Sequence, residues 1–279
     1  MNAVRSSDGT TIAYDKVGDG PALILIDGAL CHREFGPAGA LAELLAPHFT
    51  VYTYDRRGRG QSGDTEPYSV DREIEDIAAL VEEAGGSAFA YGISSGAALA
   101  LDAAARTPGI QKVATYEPPF VVDPDANTIP HDFIPRLREH LDAGAPAKAV
   151  EQFMGQVGAP KIMVKAMRLM PAWKKLKAAA STLPYDFTIL GETGSGRALP
   201  RERWAGVTVP VLAMAGGKSP EYMRQSSEQL AEILADARYR TLEGQTHMLK
   251  AKAVAPVLVE FFGTKTTAGA APAGNAVAA

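Results

Sequence analysis

A serine lies at the centre of a glycine-flanked pentapeptide that could perform nucleophilic chemistry. The five residues follow a strand-like run and precede an alanine-rich helical run: Gly92, Ile93, Ser94, Ser95 and Gly96. Small flanking residues let a strand turn sharply into a helix, which lifts the serine hydroxyl above the sheet. The amide after the serine would then point at a developing oxyanion. The motif predicts Ser94 as a nucleophile, and a glycine-rich turn without chemistry is the alternative.

A late histidine is the candidate base for this serine. His247 follows the last predicted strand and precedes the last predicted helix. An unperturbed imidazole titrates near pH ~6.5, so it can accept the serine proton and return it to a leaving group. A loop histidine bonded to backbone is the alternative for His247. The other histidines are better explained as surface, loop or cap residues: His32, His48, His131 and His140.

Two other glycine motifs match nucleotide-binding patterns without the required context. Residues 58–63 read G-x-G-x-x-G, but an acidic, proline-broken segment follows where the fingerprint needs a helix. Residues 191–196 follow a strand-like run and mimic a phosphate loop. Arg197 and Ala198 stand there in place of the necessary lysine and hydroxyl. Neither motif predicts a nucleotide site, and the second indicates a flexible return to the core.

The elements that must position these residues alternate between strand and helix patterns, which predicts an α/β fold with a mostly parallel sheet. Strands are predicted at 11–14, 22–26, 50–54, 88–91, 112–116, 209–213 and 239–242. Helices are predicted at 38–46, 71–84, 95–106 and 254–262.

A long helical stretch interrupts this alternation. Residues 123–184 have helical periods with no strand pattern between them, which predicts an inserted cap on a core formed by 1–122 and 185–263. Methionines in the cap could form an adaptable wall over a substrate or ordinary packing against the core. Residues 264–279 are small and low in complexity, so we expect a disordered tail without function.

Composition excludes several classes of function. The 279 residues include 28 basic and 32 acidic side chains, so no basic excess exists to displace phosphate counterions and we expect no nucleic-acid partner. No apolar run approaches the ~18–20 residues that cross a bilayer, so no membrane partner is expected. Cys31 is the single cysteine and the N-terminus lacks a secretory pattern, which favours a soluble, cytoplasmic protein. The expected partner is a small-molecule substrate.

These features resemble the α/β-hydrolase superfamily, in its serine-nucleophile branch with a helical cap. The resemblance covers residues 10–263 and depends on the elbow at Ser94, the glycine turn at 55–63 and the late His247. It implies an α/β-hydrolase fold, a triad in the chain order Ser, Asp or Glu, His, and no metal or organic cofactor. A serine at the elbow argues against dehalogenase or epoxide-hydrolase chemistry, which needs a carboxylate there.

The implied activity is that of a serine hydrolase that cleaves a small ester or related acyl substrate through an acyl-enzyme. A lyase or a carbon–carbon hydrolase could use the same site. The alternative from another class is a non-catalytic ligand-binding protein on this fold, because the chain departs from the family pattern at two positions.

The first departure is in the oxyanion loop. The family usually has His-Gly after the third strand, whereas this chain has Asp27 and Gly28, followed by Ala29. The amides of Ala29 and Ser95 could still form the oxyanion hole, since both donors are main-chain groups. Asp27 is also a candidate substrate-binding residue for a cationic or hydroxyl-bearing group.

The second departure concerns the triad acid. The family usually places an aspartate after the strand at 209–213, but no carboxylate occurs there before residue 221. Glu117 ends the strand at 112–116, at the sheet edge where catalytic groups collect, and Pro118 should hold it extended. Some members of the superfamily place their acid after this strand. Glu117 is therefore the predicted acid, and Asp123, Asp125 or no acid at all are the alternatives.

Overall fold

The computed structural model describes residues 2–263, and they contain an eight-stranded, mostly parallel sheet flanked by helices. The strands are β1 (Asn2–Arg5), β2 (Thr11–Val17), β3 (Ala22–Ile26), β4 (Thr50–Tyr54), β5 (Ala88–Ile93), β6 (Ile110–Tyr116), β7 (Val211–Gly216) and β8 (Ala237–Leu242). Their order across the sheet is β1-β2-β4-β3-β5-β6-β7-β8. The β1–β2 and β2–β4 pairs are antiparallel, and the other five pairs are parallel. The predicted α/β fold class with a mostly parallel sheet is confirmed.

Ten α-helices lie between or after these strands within the described residues. They are α1 (Ala38–Leu45), α2 (Val70–Glu83), α3 (Ser95–Ala104), α4 (Phe133–Asp142), α5 (Pro146–Gln156), α6 (Lys161–Met167), α7 (Ala172–Ala178), α8 (Leu183–Leu190), α9 (Glu221–Ile233) and α10 (Ala251–Gly263). None of those helices is long and apolar enough to span a membrane.

The sheet has a hydrophobic core on each face. Because successive side chains of a strand point to opposite faces, Ile24 and Ile26 of β3 pack in one core, and Leu23 and Leu25 pack in the other. Helices α2 and α3 cover the first face, and α1 and α10 cover the second. Parallel strands buried on both faces read as continuous apolar runs, which is the pattern of β3.

Five helices, α4 to α8, lie between β6 and β7 where the cap was predicted. Their buried apolar side chains, Leu137, Val150, Trp173 and Phe187 among them, join the same core as α2 and α3. The predicted boundary at residue 184 lies inside α8, and the division into core and cap stays a prediction. The predicted tail at 264–279 lies outside the described residues.

One local interpretation was wrong. The run at 185–190, read as strand-like, belongs to α8, and 191–194 form a short 3₁₀ helix. A short apolar run has the same appearance in a buried helix and in a buried strand, so its periodicity could not decide. The helix α9 and the edge strand β1 were not predicted.

Candidate active site

The carboxyl ends of the central parallel strands meet at one edge of the sheet, where catalytic groups collect in open α/β folds. Strand β3 pairs with β4 on one side and with β5 on the other. The connections that follow β3 and β4 therefore lead to opposite sides of β3, which opens a crevice at the carboxyl ends of these strands. Four segments at this edge hold the predicted site residues: the β3–α1 loop, the β5–α3 turn, the end of β6 and the β8–α10 loop. The β8–α10 loop holds His247.

Ser94 occupies a sharp turn between β5 and α3. Its backbone has φ 57° and ψ −130°, a conformation that costs a non-glycine residue about 1–3 kcal/mol. The turn needs glycines because of close packing: a Cβ on Gly96 would lie 2.2 Å from the Ile26 carbonyl oxygen. A Cβ on Gly92 would lie 2.2 Å from the Gly96 carbonyl oxygen. The serine is half-buried, as a nucleophile that must meet a substrate requires.

Glu117 and His247 are in direct contact. The Glu117 side chain is fully buried, and its Oε2 lies 2.8 Å from His247 Nδ1. The other carboxylate oxygen accepts a hydrogen bond of 2.6 Å from the Gly216 amide at the end of β7. Since a carboxylate can only accept, this contact places a proton on Nδ1 and leaves the Nε2 lone pair available. This is the contact that the predicted roles of His247 and Glu117 require.

The backbone of Glu117 differs from the sequence expectation. We expected Pro118 to keep it extended, but its φ is 45°, in the left-handed region. Tertiary contacts override the local preference here, because the Glu117 amide donates to the Met214 carbonyl at 3.0 Å while the carboxylate is held at Gly216. The turn carries the carboxylate from the end of β6 toward the His247 loop.

Tyr116 connects the three predicted triad residues and was not among the predicted site residues. Its carbonyl accepts a hydrogen bond from the Ser94 amide at 3.0 Å. Its hydroxyl donates to the carbonyl of Thr246, the residue before His247, at 2.7 Å. Tyr116 thus fixes the serine turn and the histidine loop from one position beside Glu117. The only sequence signal was its place next to the predicted acid.

The oxyanion loop lies against the serine. A Cβ on Gly28 would be 2.8 Å from Ser94 Cβ and 3.4 Å from its Oγ, so this approach needs glycine. Ala29 follows and is half-buried, and Ser95 is the first residue of α3. The first amides of a helix lack intrahelical acceptors, and the helix dipole makes that end favourable for negative charge. The structure therefore brings both predicted oxyanion donors to the serine turn.

Asp27 is a buried carboxylate in this loop. It is 7% exposed and lines a cavity of about 100 Å³ together with Tyr91 and Leu249. Burial raises the pKa of the Asp27 carboxyl to about 7, and the positive charges of Arg59 and Arg56 oppose that rise. The group therefore changes charge close to neutral pH.

The other candidates, Asp123, Asp125 and Cys31, form no hydrogen bond with Glu117 or His247 within the described residues. Asp123 is half-buried and accepts a hydrogen bond of 2.9 Å from the amide of Asp125, which is exposed. Burial raises the pKa of the Cys31 thiol to about 12, which disfavours the nucleophilic thiolate. The roles of Ser94, His247 and Glu117 in catalysis stay predictions, and this geometry is the basis for testing them.

The fold and the site define the class of protein. Residues 27–257 match the Alpha/beta hydrolase family, and the chain belongs to it. An alpha/beta hydrolase from Sphaerobacter thermophilus has 47% sequence identity to this chain. Its crystal structure superposes on this one with a TM-score of 0.86, over 94% of this chain and 100% of that chain. The enol-lactonase from Burkholderia xenovorans has a TM-score of 0.69 at 22% identity, over 94% of this chain and 100% of its own, and shares the fold.

A curated relative is similar over a shorter region. The pimeloyl-[acyl-carrier protein] methyl ester esterase of Xanthomonas campestris is 38% identical over 101 residues, which is 36% of this chain. The match spans only 38% of that esterase.

Proposed function

We propose that this protein is a serine hydrolase that cleaves a small ester or a related acyl substrate with Ser94, His247 and Glu117. The observation that supports it most directly is the 2.8 Å contact between the buried Glu117 carboxylate and His247 Nδ1, beside a strained serine turn. Membership of the Alpha/beta hydrolase family supports hydrolysis. The esterase from Xanthomonas campestris supports an ester as the bond that is cleaved.

The first half of the reaction forms an acyl-enzyme. His247 Nε2 removes the proton from Ser94 Oγ while that oxygen attacks the substrate carbonyl carbon, and the carbonyl oxygen becomes an oxyanion. The amides of Ala29 and Ser95 stabilise this charge. The carbon–oxygen bond to the leaving alcohol then breaks, and the imidazolium gives its proton to that alcohol.

The second half returns the enzyme to its starting state. Water attacks the acyl carbon while His247 accepts its proton. The second tetrahedral intermediate then collapses: the bond to Ser94 Oγ breaks, Oγ takes the proton back from His247, and the acid is released. The Glu117 carboxylate stabilises the imidazolium in both halves. It has no exposed surface, so its negative charge is little screened by water.

Asp27 is proposed as the residue that recognises a polar group of the substrate. The cavity that it lines is largely apolar, and the Tyr91 hydroxyl there is buried without a hydrogen-bond partner among the described residues. A hydroxyl on the substrate could donate to Asp27 and accept from Tyr91. Asp27→Asn should then raise KM for a hydroxyl-bearing ester more than for the matching ester without the hydroxyl.

A fluorophosphonate probe tests the proposed function. We expect the wild-type protein to be labelled and Ser94→Ala to remain unlabelled, since the probe reacts with an activated serine hydroxyl. Chromogenic esters of increasing acyl length would then define the substrate range. Equal labelling of the two proteins, or labelling of neither, would contradict the proposal and favour a ligand-binding protein.

A further inference from the structure

One buried carboxylate, that of Asp186, binds the Ser95 hydroxyl and the side chain of Arg59, which contacts the loop that carries Ala29. Asp186 lies in the first turn of α8 and is 2% exposed. Its Oδ1 accepts a hydrogen bond of 2.7 Å from the Ser95 hydroxyl. Arg59 Nη2 donates to its two oxygens at 2.8 and 2.7 Å, and Arg56 Nη1 donates to Oδ1 at 2.7 Å. A residue between β6 and β7 thus contacts the elbow directly.

Arg59 extends this anchorage to the oxyanion loop. Its Nη1 donates to the Gly28 carbonyl at 2.6 Å, while its Nε donates to the Thr182 hydroxyl at 2.9 Å. The Gly28 carbonyl and the Ala29 N–H belong to one planar trans peptide, in which they point in opposite directions. Fixing the carbonyl on Arg59 therefore fixes the direction in which the Ala29 N–H points.

Ser95 carries the second donor. Its hydroxyl is held by Asp186 inside the protein, and the residue is 2% exposed. A bonded hydroxyl restricts the position of the residue at the start of α3, where the backbone amide is free of an intrahelical acceptor. The side chain is therefore an anchor, and the amide of the same residue is the group that would meet the oxyanion.

The two arginines depend on Asp186 to different degrees. Arg56 is also held by Glu73, through two hydrogen bonds of 2.7 Å. Within residues 2–263, Arg59 forms an ion pair with no carboxylate other than Asp186. Losing the charge of Asp186 would leave Arg56 paired with Glu73, whereas the Arg59 guanidinium that holds the Gly28 carbonyl would keep only neutral partners such as the Thr182 hydroxyl.

We propose that Asp186 is a positioning residue that aligns both oxyanion donors, so that the oxyanion hole is complete only when α8 is docked against the sheet. The inference rests on the proposed function, in which the Ala29 and Ser95 amides stabilise the oxyanion. Buried ion networks often contribute little to stability, which leaves room for a different role. This network ends on the two segments that carry the donors, and that placement supports positioning.

Asp186→Asn is the first test, because it keeps the shape and removes the charge. Removing one oxyanion donor outright costs about 10²–10³-fold in kcat, so misaligning both should lower kcat by roughly 10–100-fold with little change in KM. Affinity for a boronic acid, whose Ser94 adduct carries a tetrahedral anion, should fall by a similar factor. Binding of a neutral, non-reactive ester analogue should not change.

Asp102→Asn is the matched control. Asp102 is a buried carboxylate on α3 that binds Arg203 at 2.7 and 3.0 Å and Trp204 Nε1 at 2.9 Å. The Asp102→Asn variant should therefore lose about as much stability as Asp186→Asn while keeping the wild-type kcat. If the two variants lost kcat equally, or if Asp186→Asn kept the wild-type kcat and boronic acid affinity, the positioning role would be refuted.

Two further variants keep the test decisive if Asp186→Asn does not fold. Arg59→Lys retains the charge, but one ammonium cannot reproduce a planar fork that binds three separate groups. Ser95→Ala removes only the hydroxyl anchor and leaves the amide. We expect both to lower kcat rather than raise KM, and unchanged kcat in both would overturn the inference. Absence of Ser94 labelling in the wild type would instead overturn the proposed function.

Discussion

Replacing Glu117 with glutamine separates the charge of the predicted acid from its shape. In the wild type, Oε1 accepts from the Gly216 amide and Oε2 contacts His247 Nδ1. Glutamine can still accept from Gly216 with its amide oxygen. Its NH₂ group then faces Nδ1, and because both would be donors, the imidazole must move its proton to Nε2.

This change of tautomer removes the base. With the proton on Nε2, His247 has no lone pair to take the Ser94 proton, and the stabilising charge next to the imidazolium is also gone. The corresponding change in the best-studied triad lowers kcat by about 10⁴, which is about 5 kcal/mol in activation free energy. We expect a fall of roughly 10³–10⁴-fold for Glu117→Gln, with KM little changed.

The assay compares steady-state ester hydrolysis and thermal unfolding of the wild type, Glu117→Gln, Asp123→Asn and Asp125→Asn. The glutamine keeps the Gly216 hydrogen bond and fills the same volume, so its melting temperature should stay close to that of the wild type. The two aspartate variants are the matched controls from the following loop and should remain active. If Glu117→Gln kept most of its activity while one aspartate variant lost it, the acid would be reassigned. If all three remained active, Ser94 and His247 would act as a dyad.

Three other variants test the site. Ser94→Ala should abolish turnover with little change in melting temperature, and a loss of about 2–5 kcal/mol, typical of a core cavity, would show a structural role instead. Gly28→Ala should lower kcat by roughly 10²-fold, because its Cβ would lie 2.8 Å from Ser94 Cβ. The control is Gly155→Ala, in an open position of α5. It should keep full activity and gain about 0.5–1 kcal/mol of stability. Asp27→Asn should be more stable than the wild type at neutral and alkaline pH. Because the folded-state pKa of Asp27 is raised to about 7, the wild type loses stability as pH rises from about 4 to about 7, by at most about 4 kcal/mol. Urea unfolding at about pH 5 and about pH 8 measures this difference, and an equal offset at both values would contradict it.

The sequence predicted the parallel sheet and the positions of its central strands because buried parallel strands form compact apolar runs. Thr50–Tyr54 and Ala22–Ile26 agree with the predicted bounds at both ends. Ala88–Ile93 extends past the predicted end, since its last residues form part of the serine turn. The α8 segment was misread because its eight residues are nearly all buried and so show no amphipathic period.

The positioning contacts could not be predicted from the sequence in the same way. Arg56 and Arg59 stand in a glycine turn that reads as a polar loop, yet both are almost fully buried. Asp186 is 127 residues from Arg59 along the chain, and no local pattern connects two residues at that distance. Individual catalytic residues have motifs, whereas the groups that orient them are brought together only by the tertiary fold.

The position of the acid follows from the geometry of adjacent parallel strands. Strands β6 and β7 pair in parallel, with Tyr116 opposite Met214, so their carboxyl ends lie side by side at the edge of the sheet. The family pattern has an acid after the strand equivalent to β7, and here Gly216 at that end supplies an amide donor to Glu117 instead. The predicted acid therefore lies one strand along the sheet from the usual position, and the end of β7 binds it through the Gly216 amide. The segment that holds His247 contacts both strand ends. The Tyr116 hydroxyl at the end of β6 donates to it, and after β7 the Gly217 and Lys218 amides donate to the carbonyls of Leu242 and Gln245. Either strand can therefore present a carboxylate to His247 Nδ1.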